Sequence, residues 1–181
     1  MILETEINLI KDFEVKVGVA AIVLANQEWI KTAPPSVSGK HHPEEKTMEM
    51  HLRRTVWFAK QYIEEFKLDT ATTDLLIASC LLHDIGRVNS LVKGDAMKGG
   101  WKFYPVTGWS CNFTDQEKHP LFSKDTVTAA EFKRSAEIGE VVSKHMSHWN
   151  AGCPAPVTEI EKMVAMCDFL ASRNIQIPEV K

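Results

Sequence analysis

The segment from Thr73 to Asp84 constrains this chain more than any other. Leu75, Leu76, Ile77, Ala78, Leu81 and Leu82 leave it almost without a polar face. A helix that is apolar all round is buried on every side, so other helices have to surround it. Neighbouring segments supply them. Residues 47–66 place Met48, Leu52, Val56, Ala59, Ile63 and Phe66 at steps of three and four. Residues 134–149 repeat the stripe with Ile138, Val141, Val142 and Met146. A last helix begins at Thr158, with Glu161 three residues on as a capping box, and runs through Ile160, Met163, Val164 and Cys167. Residues 5–30 predict an opening helix whose apolar positions are Ile7, Ile10, Phe13 and Val17. Short alternating β runs joined by Asn-Gly or Asp-Gly turns are absent, so the expected class is all-α, a helical bundle.

One stretch breaks the pattern. Residues 94–120 hold Trp101, Phe103, Tyr104, Trp109 and Phe113 among glycines and prolines, with no clear period. They read as a long surface loop pinned down by its aromatics, and connections of that length are often functional.

Length and charge narrow the class. The chain has 181 residues, which fits one domain. Its 21 basic against 24 acidic residues leave a net charge of -3, which argues against a stable nucleic-acid complex. Cys80, Cys111, Cys153 and Cys167 stand apart with no CxxC pair, as reduced cytosolic thiols do. The most apolar run, residues 15–25, carries Lys16 and falls well short of the roughly 20 residues a spanning helix needs. The first residues, MILETEINLIKDFE, carry acids where a signal peptide carries bases. The expected location is the cytoplasm, away from membranes.

The informative residues are polar ones placed on apolar faces. His145 follows Ile138, Val141 and Val142 by seven, four and three, and so points with the stripe. Asp168 follows Val164 by four and precedes Ala171 by three, again on the core side. His51 lies three after Met48, and His83-Asp84 close the most apolar helix. Each has a bland alternative: a core histidine bonded to a carbonyl, or an aspartate paired with an arginine. A buried aspartate without such a partner or a metal is costly. Four helical segments that each turn an imidazole or carboxylate inward are how bundles build metal sites. Mixed His and Asp ligands suit a divalent ion such as Mn, Fe, Co, Ni, Zn or Mg.

These residues resemble the HD-domain metal-dependent phosphohydrolases. The likeness is carried by His51, by His83-Asp84 within LLHDIGR, and by Asp168 within MVAMCDFLASR. It extends to the dinuclear branch, which includes the HD-GYP phosphodiesterases. His119 before Pro120 is similar to the His-Pro of that branch, and residues 145–156 to its His-rich segment. The loop 33–43 resembles the one before the first ligand helix. The chain departs from the HD-GYP pattern in having Gly152-Cys153-Pro154 where the tripeptide would stand.

The resemblance implies a single HD domain over 1–181. Residues 1–32 would pack as a helix on an HD core of 33–173, with 174–181 as a tail. It implies one or two divalent metal ions, with His51, His83, Asp84 and Asp168 as ligands of the first. Asp84 would bridge to a second ion held by His119 and His145, with His148 as a further ligand or a substrate contact. The expected activity is hydrolysis of a phosphomonoester or phosphodiester of a nucleotide-like small molecule. Asp84 would orient the nucleophile, and Arg87 would bind phosphate through its planar fork, unless it only offsets a helix end. Lys40, with His41 and His42, would reach substrate phosphates or form a solvated loop. Trp101, Tyr104 and Trp109 are read as packing residues, and Arg53 and Arg54 as surface charges, one of which can turn inward. Two other readings stand beside it: a di-iron oxygenase acting on a small substrate, which shares the ligand order, and a non-catalytic HD signalling module, a type that usually lacks the ligands this chain keeps.

Overall fold

The computed structural model describes residues 1–37, 46–147, 153–173 and 175. Helices dominate, and the apolar helix α5 (Thr70–Leu82) lies at their centre, every residue from Asp74 to Leu82 being buried. Asp69 caps its start by accepting from the Thr72 N–H. The one acid inside it, Asp74, accepts the Lys11 and Asp12 backbone N–H groups at 2.8 Å each, so its charge is satisfied where it is buried.

Around α5 pack α1 (Glu4–Ile7), α2 (Phe13–Ala25), α4 (Met48–Phe66), α8 (Ser135–Val142) and α9 (Glu159–Ala171). The short α3 (Gln27–Thr32) leans on α4, and α7 (His119–Ala129) lies against α8. The expected helix over 47–66 forms as α4, capped by Thr47, whose hydroxyl accepts from the Met50 N–H. The Thr158–Glu161 capping box is present at the start of α9. The stripe at 134–149 is helical only to Val142, with turns over 143–147.

The opening segment differs from the single helix its sequence suggests. Residues 8–12 leave the helix because the Lys11 and Asp12 N–H groups go to Asp74, and Asp12 then caps α2. The stripe is also rotated: Val15, Val19, Ile22 and Val23 are buried, whereas Phe13 is 76% exposed and Val17 50%. Apolar residues occur on every face of this segment, so spacing alone does not pick the buried one.

The expectation of a purely all-α chain is corrected by a small antiparallel sheet inside the aromatic stretch. Strands β1 (Leu91–Lys93), β2 (Trp101–Tyr104) and β3 (Trp109–Asn112) pair in the order β1-β3-β2. Runs of three or four residues are too short to show a period. The β2–β3 turn is set by Gly108 at φ 71°, whose N–H donates to the Tyr104 carbonyl. Leu91, Trp109 and Cys111 pack with Ala33 and Val37 into a second, small core that fastens the strap before α4 to the sheet. After the sheet come α6 (Phe113–Glu117) and then α7. No helix among the described residues is long and apolar enough to cross a membrane.

Candidate metal centre

Helix α5 ends at Leu82, and the chain tightens into a 3-10 turn over Ile85–Asn89, so His83 and Asp84 face the gap between α4, α7, α8 and α9. Gly86 makes this possible. A Cβ there would collide with the His119 carbonyl oxygen and the Ser123 N–H. The start of α7 therefore lies directly on the turn, and His119 reaches the Asp84 carboxylate. Ser123 fastens the junction, donating to the His83 carbonyl at 2.6 Å and accepting the Gly86 N–H at 2.9 Å.

Three imidazoles are held in one tautomer by their own backbone. His83 Nδ1 lies 2.9 Å from the Cys80 carbonyl, His119 Nδ1 2.5 Å from that of Gln116, and His145 Nδ1 2.7 Å from that of Val142. A carbonyl only accepts, so each Nδ1 carries a hydrogen and, in the neutral ring, each Nε2 presents a lone pair. Those lone pairs converge. His119 and His145 bring their Nε2 atoms to 3.0 Å of each other, and His83 brings its own to 3.3 Å from His51 Nε2. Two lone pairs at such distances repel unless a proton or a cation lies between them.

The carboxylates complete two sets. Asp84 Oδ2 lies 3.8 Å from His51 Nε2 and 3.7 Å from His83 Nε2, and Asp168 Oδ1 lies 3.1 and 3.6 Å from the same atoms. Asp84 Oδ1 turns the other way, to His119 at 3.0 Å and His145 at 3.4 Å. Metal–ligand bonds of about 2.1 Å place neighbouring ligand atoms roughly 3.0 to 3.4 Å apart, so both sets fit a divalent ion with modest tightening. All six side chains are buried. His51, His83 and Asp84 form one group with metal-ligand spacing, His83, His145 and Asp168 a second, and Asp84, His119 and His145 a third.

The carboxylates and His119 are tuned for this use. Burial works to raise the Asp84 carboxyl, but the Arg87 charge and the surrounding imidazoles hold it well below the usual carboxylate range. Burial likewise opposes Asp168, and the His51 and His83 imidazoles beside it bring it well below that range. Burial lowers His119. It also works against His145, yet the hydrogen bond to Asp84 and the charges of Asp168 and Asp84 together outweigh it and raise that imidazole, so an ion bound at its Nε2 would displace a proton.

Arg87 is buried, with Nη1 3.0 Å from Asp84 Oδ2. Its Nε finds no partner among the described residues. It lines a cavity of about 380 Å³ that opens onto Asp84, His119 and Asp168. Sequence reasoning missed Ser36, Gln116, Met146 and Arg173 in the same wall, because Met146 reads as a core-stripe residue and the other three as ordinary surface positions. Lys40, His41, His42 and His148 lie outside the described residues. Trp109 is spent in the small core, and Tyr104 packs against it. Neither Arg53 nor Arg54 is a simple surface charge: Arg53 pairs with Glu6 and Glu49, and buried Arg54 donates to three carbonyls at the end of α9.

A mostly helical protein with a small sheet, whose buried His and Asp side chains can hold metal, is the class these observations define; the cluster is compatible with an HD-type site. Comparison with family models, curated proteins and solved structures finds no match.

Proposed function

We propose that this chain is a metal-dependent phosphohydrolase of the HD type, cleaving a phosphomonoester or phosphodiester of a nucleotide-like small molecule. The observation that carries the reading is the division of one carboxylate: Asp84 gives Oδ2 to the His51–His83–Asp168 set and Oδ1 to the His119–His145 set. A carboxylate shared between two sets of converging imidazole and carboxylate groups suits two adjacent divalent ions. When bound, such ions supply positive charge to a phosphoryl oxygen and lower the pKa of a water.

The chain's own residues do the rest. His83, His119 and His145, fixed by carbonyls at Nδ1, hold their Nε2 atoms ready without rotating. Asp84 fixes the spacing between the two sets. Arg87, which lines the cavity and is held by Asp84 through Nη1, offers a planar cation to a phosphoryl oxygen. Gln116, its side-chain carbonyl occupied by the Ser90 hydroxyl, has its amide N–H groups left for substrate. The 380 Å³ cavity is of a size that takes a small metabolite.

Metal analysis by mass spectrometry of freshly purified protein, with hydrolysis of a nucleotide and phosphate-ester panel in Mn²⁺, tests the reading. Asp84→Ala is the control. About two ions per chain, with hydrolysis abolished in the variant, is the expected result. Tightly held iron with no hydrolysis and with oxygen uptake would overturn it in favour of an oxygenase.

A further inference from the structure

Arg173 stands just past the end of α9, five residues after Asp168, and its side chain lines the same cavity as Asp84, Arg87 and His119. Two features hold it there. Buried Arg54 donates to the Ala171, Arg173 and Ile175 carbonyls at 3.2, 3.3 and 3.0 Å, which fixes the backbone on both sides of it. The guanidinium lies over the Phe169 ring, 4.4 Å from its centre. No carboxylate among the described residues pairs with it, whereas Arg87 across the cavity is committed to Asp84. Apart from the His119 imidazole, which is buried and turned to Asp84, the described lining contains no aromatic ring on which a base could stack. Recognition at this mouth is therefore by charge and hydrogen bonding.

We propose that Arg173 is a specificity residue that binds a second anionic group on the substrate, so that the site selects phosphate esters carrying a further carboxylate or phosphate near the reacting phosphoryl group. The inference rests on the phosphohydrolase reading, since it takes the reacting phosphoryl group to lie beside Asp84 and Arg87. A guanidinium fork matches either anion in two-point fashion, and its place on the rim, away from the two ligand sets, assigns it to the part of the substrate that does not react.

Binding of unreactive phosphonates tests this without turnover. Calorimetry on metal-loaded protein would compare ethylphosphonate with phosphonoacetate and with methylenediphosphonate, metal content being checked after each titration. The expected result is binding at least about tenfold tighter for one or both doubly anionic probes, and whichever is preferred names the second group. Arg173→Gln should erase the preference and leave ethylphosphonate affinity and metal content as they were, and Arg173→Lys should restore part of it. Equal affinity of wild type for all three probes overturns the proposal, as does a preference that survives Arg173→Gln, or a loss that falls equally on ethylphosphonate. If ethylphosphonate itself fails to bind, the phosphoryl site is wrong and this proposal falls with it.

Discussion

Asp84 and His119 meet at 3.0 Å, Oδ1 to Nε2, while the other oxygen of the same carboxylate faces His51 and His83. The carboxylate thus belongs to two ligand sets at once, and the sets should be separable by mutation. His119→Ala leaves His51, His83, Asp84 and Asp168 in place. It is expected to lower bound metal from about two ions per chain to about one, with a larger loss of activity than of stability. Asp84→Asn, which weakens both sets, should lower occupancy towards zero. Metal-to-protein ratios by mass spectrometry after dialysis decide this; equal loss in both variants would mean the sets are not independent.

Gly86 tests the same point from the backbone. The methyl of Gly86→Ala would meet the His119 carbonyl and the Ser123 N–H, so α7 must move away from the turn. Forced overpacking of this kind costs about 1–3 kcal/mol, visible as a lower denaturant midpoint. His119 moves with α7, so occupancy should fall at the His119–His145 set before it falls at the other. A variant with unchanged midpoint and full metal content would show that the junction yields more easily than its geometry implies.

The sequence made some of this legible and hid the rest for physical reasons. His145 and Asp168 could be picked out because each falls on an apolar stripe where a polar group needs a partner. His83 and Asp84 were marked by the apolar helix they close. The strands were hidden because residues 91–93, 101–104 and 109–112 are too short to alternate visibly, and their stability comes from Ala33 and Val37, distant in sequence. The stripe of α2 was misplaced because Phe13 and Val17 are as apolar as Val15 and Val19. The cavity wall was invisible: Ser36, Gln116 and Arg173 meet only through the tertiary fold, and nothing in local spacing distinguishes them from solvated residues.

Glu161 supplies a pH dependence away from the metal ligands. Burial works to raise its carboxyl, but the Lys144 ammonium at 2.5 Å and the Val157 and Thr158 N–H groups hold it below its ordinary 4.5. A carboxyl lowered in the folded state stabilises fully above its unfolded pKa, and that contribution is lost as pH falls through the folded one. Glu161→Ala should therefore cost about 1–2 kcal/mol at pH 7, and the gap to wild type should narrow as pH drops below 4.5. Urea unfolding of both proteins across pH 3 to 7 measures it; a gap independent of pH would remove the ionised carboxylate from the account.

Arg54 ties the last helix to the first ligand helix. It sits one turn after His51 on α4, is buried, and donates to the carbonyl of Ala171, the last residue of α9, and to those of Arg173 and Ile175 just beyond it. Asp168 lies one turn before Ala171, so the same guanidinium that satisfies these carbonyls also sets where Asp168 stands relative to His51, 3.1 Å away. Arg54→Met keeps much of the side-chain volume but removes the donors, leaving the buried Ala171 carbonyl without its partner and the segment after it untied. Hydrogen bonds from charged donors contribute about 1.5–3 kcal/mol each, and they are not additive, so a loss of about 3 kcal/mol in unfolding free energy is expected. Arg54→Lys, with a single compact ammonium in place of the fork, should recover less than half. If the role is positioning as well as support, Arg54→Met should also weaken metal binding at the His51–His83–Asp168 set while sparing the His119–His145 set. Metal titration of the folded variant well below its unfolding temperature separates the two effects, and full retention of both ions would confine Arg54 to holding the helix end.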